Sequence, residues 1–267
     1  MKIALVQFEP TFRATAPNWE RMHHWAESVP ADILVFPELA SCGYMYEDRK
    51  DAGPYADSRS ALKPIEEVAH ATGRLIVGGF SEHAEGVFYD SAFAAGPDGT
   101  IVYRKIHLWN RETVIFEPGT EPVLLRFRGH PIGLEVCYDL QFPELAAFLA
   151  RKGAELLLVP TAWAEEPYAP SHGLQPYNHL AIGSAFAHGI FVAVVNRTGV
   201  ERGARFPGQS SLANPWGQLE CLEGEEAVLV KSLDFSLLEK AKRPNAFNDL
   251  DRDARLRILP PPSRKKA

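Results

Sequence analysis

No stretch of this 267-residue chain approaches the run of roughly 20 apolar residues that a membrane-spanning helix needs. Cysteine is scarce: Cys42, Cys137 and Cys221 are odd in number, widely spaced and free of any Cys-x-x-Cys pair. That argues against a disulfide framework and against a zinc site built on thiolates. Histidine offers no ligand set either. His23 and His24 are adjacent, so on a helix they point about 100° apart, and His172, His179 and His188 are scattered. No metal and no cofactor is expected. Positive charge is also short, with 28 bases against 34 dispersed acids for a net charge of −6 and no basic stripe. Nucleic acid and anionic membrane are therefore unsuitable partners. The opening Met1–Phe8 reads as a short strand rather than a secretory leader, so the cytoplasm is the expected location.

What is present is an ordinary globular balance, 46% apolar and 23% charged residues, long enough to bury one large core. Short β-branched runs alternate with amphipathic stretches. Strands are expected at 2–8, 32–37, 74–81, 122–128, 131–137, 155–160 and 190–196, with further strands across 209–232. Helices are expected at 17–28, 61–72, from Phe142-Pro143-Glu144 to Gly153, at 178–188 and at 236–242. Residues 87–105 read as a hairpin about Gly96-Pro97-Asp98-Gly99. The pattern gives an α/β fold whose sheet is mixed, covered by helices. Two sheets between helical layers and one wound sheet both remain open at this point. With no repeat and no linker, one domain is expected over 1–255, followed by an extended tail at 256–267.

Three reactive groups stand at predicted strand ends, where α/β sites gather. Cys137 follows Ile132–Val136 and precedes a helix, beside N–H groups that can favour a thiolate and later an oxyanion. Lys105 closes Thr100–Lys105, and Glu38 follows Val35-Phe36-Pro37. Each alone has an ordinary explanation: a packed thiol, a lysine reaching solvent, a loop carboxylate. Together they supply a nucleophile, a cation for the oxyanion and a base.

The segments Phe36-Pro37-Glu38-Leu39, Tyr103 to Leu108 and Glu135-Val136-Cys137-Tyr138-Asp139 resemble the three catalytic motifs of the nitrilase superfamily, in order and spacing. Phe142-Pro143-Glu144, Gly208-Gln209-Ser210 and Pro215-Trp216-Gly217 extend the resemblance from residue 3 to about 255. It implies a four-layer αββα sandwich, a homodimer or higher homo-oligomer, no cofactor, and a Glu38-Lys105-Cys137 triad. It places Glu112 and Tyr138 as supporting residues and implies hydrolysis of a small amide. Tyr138-Asp139 is similar to the amidase branch; an N-carbamoyl hydrolase or a nitrilase with the same triad, or a silent scaffold of the same fold, are the alternatives. One departure is Ser184 to His188, where family members often carry an Arg-Ala-x-Glu-Asn segment.

Tyr44, Trp163, Tyr168 and the stretch 165–176 are expected around the substrate. Glu135, two residues from Cys137 on one strand face, would stand about 6.5 Å away, too far for an easy hydrogen bond, so Glu38 is the preferred base. A Cys–His pair would have to use His107 or His172. Cys42 and Cys221 are expected to be packing residues.

Overall fold

In the computed structural model, which describes residues 1–165 and 173–241, two six-stranded mixed sheets pack face to face. The first runs β14 (Ala227–Ser232), β1 (Lys2–Gln7), β2 (Ile33–Val35), β3 (Leu75–Ala84), β4 (Val87–Gly96), β5 (Gly99–Arg104). The second runs β13 (Leu219–Cys221), β12 (Ser211–Ala213), β9 (Phe191–Asn196), β8 (Leu156–Thr161), β7 (His130–Leu134), β6 (Val123–Phe127). A separate hairpin joins β10 (Thr198–Glu201) to β11 (Ala204–Pro207). In each sheet a parallel trio, β1-β2-β3 or β7-β8-β9, carries the βα connections, and antiparallel strands complete the edges.

Alternation decides the layers. Ile3 and Leu5 of β1, Ile33 and Val35 of β2 and Leu75 and Val77 of β3 face the second sheet and join its Ile132 and Leu134 in one buried core. Val6, Phe36 and Ile76 face the other way, onto Met22 and Ala26 of α1 (Thr15–Ser28) and Ile65, Val68 and Ala69 of α3 (Lys63–Thr72). The second sheet is covered by α5 (Pro143–Arg151) and α6 (Pro176–His188). The result is an αββα sandwich, which resolves the choice that pattern alone left open. Short helices α2 (Arg49–Ala52) and α4 (Glu112–Ile115) lie in loops, and α7 (Ser236–Ala241) follows β14. Among the described residues no helix is long and apolar enough to cross a membrane.

The expected hairpin at 87–105 forms, and its register matters. The ladder runs from Gly96↔Gly99 to Ser91↔Arg104, and the next rung, Lys105 N–H to Asp90 C=O at 2.9 Å, sets Asp90 against Lys105. Ile101, Tyr103 and Lys105 alternate onto one face of β5; Tyr103 and Lys105 are buried, whereas Ile101 is exposed. The strand expected over 131–137 stops at Leu134. Cys137 has φ +47°, which extended backbone does not adopt, so the face-sharing inferred for Glu135 and Cys137 does not hold. The tail at 256–267, Tyr168 and His172 lie outside the described residues.

Candidate active site

Cys137 opens a tight turn, Cys137–Gln141, between β7 and α5. A non-glycine residue in the left-handed region costs on the order of 1–3 kcal/mol and persists where the surroundings over-determine it. Glu38 stands just past β2, followed by Leu39 at φ +45°. Its backbone lies so close to β3 that a Cβ on Gly79 would come within 2.3 Å of the Leu39 nitrogen and 2.5 Å of the Glu38 Cα. Only glycine at 79 lets the two strands' ends meet there.

The Glu38 carboxylate is held at both oxygens. Oε1 accepts from Lys105 Nζ at 2.5 Å, and Oε2 accepts from the Ala162 N–H at 2.6 Å. Lys105 Nζ also donates to Glu112 Oε1 at 2.8 Å and to Asp90 Oδ2 at 3.3 Å, with all four side chains buried. Burial alone would lower the lysine's pKa. The Glu112, Glu38 and Asp90 carboxylates outweigh it and hold the ammonium well above its usual range. Lys105 therefore does not reach solvent, and the buried Glu112 is a hub. Its Oε1 also accepts from the Tyr44 hydroxyl at 2.5 Å, and its Oε2 from the Trp109 N–H at 2.8 Å. Burial, with Lys105 opposing it, leaves the Glu112 pKa raised.

Glu38, Asp90 and Glu112 present oxygens within 4.8 Å of one another, a set that could hold a cation. The Lys105 ammonium already stands among them and bonds to all three, so it occupies the place such an ion would take. Asp90 was not singled out from sequence. Its signal was a charge inside an apolar strand, together with a hairpin register that the two-residue turn sets. Burial and the like charge of Glu38 push its carboxyl well up.

Cys137 lies within electrostatic reach of the cluster. Burial, then the Glu38 carboxylate, raise its thiol well above the ordinary value, and Lys105 and the Ala162 N–H only partly offset them. This corrects the expectation that nearby N–H groups favour a standing thiolate. The resting thiol keeps its proton, and the acceptor must be a neighbour. His107 is not that neighbour: its Nδ1 pairs with Asp139 Oδ1 at 2.8 Å and its ring stacks on Phe142 at 3.6 Å. Cys42 is fully buried, its pKa pushed up by burial to about 12, and Cys221 is raised to about 11.

A cavity of about 270 Å³ opens onto Cys137 and is lined in part by Tyr44, Tyr138, Ala162 and Trp163, so Tyr44 and Trp163, expected around the substrate, meet the supporting residue Tyr138 there. Trp163 is held by Asn196, whose Oδ1 accepts from the Trp163 N–H at 2.9 Å and whose Nδ2 donates to the Trp163 C=O at 3.1 Å. The larger cavity, beside Glu9 and Glu223–Glu226, contains none of these groups.

Residues 2–243 match the carbon-nitrogen hydrolase family. The chain is 35% identical to a nitrilase of Pyrococcus abyssi, covering 96% of this chain and 97% of the relative. It is 32% identical to an (R)-stereoselective amidase of a Pseudomonas species, over 91% and 88% of the two chains. The crystal structure of an amidase from a Nesterenkonia species superposes with a TM-score of 0.78 at 26% identity, over 97% of this chain and 96% of that one.

Proposed function

The chain belongs to the carbon-nitrogen hydrolase family, and from that premise we propose that it hydrolyses a small amide to a carboxylate and ammonia, with Cys137 as nucleophile, Glu38 as acid–base and Lys105 as oxyanion donor. The observation that carries this reading is the buried Lys105 ammonium, bonded to Glu38 and Glu112 beside the cavity that opens onto Cys137. Glu38 takes the thiol proton as sulfur attacks the carbonyl carbon. Lys105, with a backbone N–H near Tyr138, stabilises the tetrahedral oxyanion. Glu38 then returns the proton to nitrogen, ammonia leaves, and a Cys137 thioester remains. Glu38 deprotonates the water that attacks the thioester, the carboxylate departs, and sulfur recovers its proton. Asp90 and Glu112 fix the direction of the ammonium. A silent scaffold would have no use for this arrangement, which costs several kcal/mol per buried ion unless each is paired.

The substrate branch follows from the same donors. An amide gathers negative charge on oxygen, where Lys105 acts, whereas a nitrile gathers it on nitrogen. Propionamide should therefore exceed propionitrile in kcat/KM, followed by ammonia release. Faster nitrile turnover across several acyl groups would overturn the branch and leave the triad standing.

The reading includes one hydrolase domain over 1–255, supported by the family match over 2–243. It also includes a cytoplasmic homodimer. Free thiols at all three cysteines suit a reducing compartment, and the exposed Phe148 ring on α5 suits a paired outer layer. A single sedimenting species of monomer mass would remove the dimer.

A further inference from the structure

We infer that the cavity at Cys137 accepts amides with a small, uncharged, apolar acyl group of at most about one ring, and rejects amides whose acyl group bears a carboxylate. This rests on the amidase reading and adds the substrate class. Beyond the nucleophile and the tyrosines, the described wall is made of Met45, Trp109, Trp163 and small alanines, with Glu165 its single charged side chain. At the inner end, Tyr44 donates to Glu112, so the chemistry beyond the wall is acidic as well. The Lys105 ammonium is directed by Glu38, Asp90 and Glu112 and does not line this cavity, so it is not placed to pair with an acyl-end carboxylate. A substrate carboxylate entering here would lose its water and meet no cation among the described lining residues.

Arg205 lines the larger cavity rather than this one; its Nε donates to Glu165 Oε1 at 3.1 Å in an exposed ion pair, while the Glu165 N–H donates to the Arg205 C=O at 2.8 Å. Glu165 thus holds the nearby guanidinium and presents its own negative charge to the cavity.

The size limit comes from how the wall is held. Glu201 accepts the Tyr44 N–H at 2.8 Å and the Met45 N–H, and is itself paired with the buried Arg197. Asn196 fixes Trp163 from the other side. Backbone bonds of this kind leave the cavity little room to widen. Benzene occupies a dry cavity of about 150 Å³, so 270 Å³ holds one ring and its carboxamide and is crowded once a fused second ring is added.

The test is kcat/KM for matched amides: butyramide against succinamate, valeramide against glutaramate, and phenylacetamide against naphthylacetamide. The neutral member of each charged pair should win by more than tenfold, reaching about 10² where desolvation is complete. Glu165→Gln should shrink that ratio several-fold by removing the one negative charge among the described lining residues. A ratio below tenfold, or preference for the carboxylate, overturns the inference while leaving the amidase reading intact. Equal turnover of naphthylacetamide and phenylacetamide overturns the size limit. An unchanged ratio in folded, active Glu165→Gln overturns the part given to Glu165. Turnover of no amide by folded protein removes the amidase reading, and the inference with it.

Discussion

Two groups of buried carboxylates lie close to Cys137, and the fold treats them in opposite ways. Glu38, Asp90 and Glu112 converge on one ammonium. The other group belongs to the nucleophile's own segment. Asp139 accepts from the Tyr103 hydroxyl at 2.6 Å, the Val136 N–H at 3.0 Å, the His107 N–H at 2.9 Å and the His107 ring. Glu135 is equally buried, yet neither of its oxygens has a hydrogen-bond partner. Burial and the Asp139 carboxylate raise its pKa from 4.5 to about 8. Inaccessibility therefore says little about what a carboxylate does. Its partners decide whether it holds a cation in place or stands without a hydrogen bond.

Breaking the first group should cost activity, and the largest loss belongs to the sulfur it serves. Cys137→Ala should abolish turnover, while Cys42→Ala and Cys221→Ala stay within a few-fold. Full ammonia release by folded Cys137→Ala would end the proposal. Lys105→Met should lower kcat by about 10²–10³, the usual loss of an oxyanion donor. It also leaves acids buried without their cation, so circular dichroism must first show a native fold. A loss under tenfold in such protein would assign the ammonium a packing role.

Asp90→Asn sharpens the comparison. It keeps the shape and removes one of the acids around Lys105. Because burial and Glu38 already favour the protonated Asp90 carboxyl, the loss in kcat should be less than that of Lys105→Met, on the order of tenfold. An effect matching Lys105→Met would mean that Asp90 works as a full anion.

The second group should register in stability. Glu135 binds its proton more tightly folded than unfolded, so the folded state is favoured below about pH 4.5. That advantage is lost as pH rises towards about 8, and above it the penalty levels off. The amplitude is about 5 kcal/mol at most. Glu135→Gln should flatten this part of the stability curve in urea titrations between pH 5 and 9, with little change in kcat. An unaltered slope would show that Glu135 finds a partner or water in solution.

Much of this was legible in the residues. Period-two runs and turn signals placed most elements within a few positions, and Glu38, Lys105 and Cys137 stood out because charge or thiol ended an apolar run. Glu112 was named only through the family resemblance, since nothing local distinguishes a carboxylate that turns inward from one that does not. Asp90 was missed because it was read as part of a strand. The register that faces it to Lys105 was implicit in the Pro97-Asp98 turn.

By itself the sequence determined the alternating strands and helices, the hairpin and the identity of the reactive groups, because those depend on neighbours a few residues apart. Only the tertiary structure decided that two sheets stack, that Lys105 is buried among three acids, that the Cys137 thiol rests protonated, and that Glu135 has no partner. Those properties come from desolvation and from charges brought together across the fold, such as Glu38 beside Lys105 and the Ala162 N–H. A chain read one window at a time does not contain those distances.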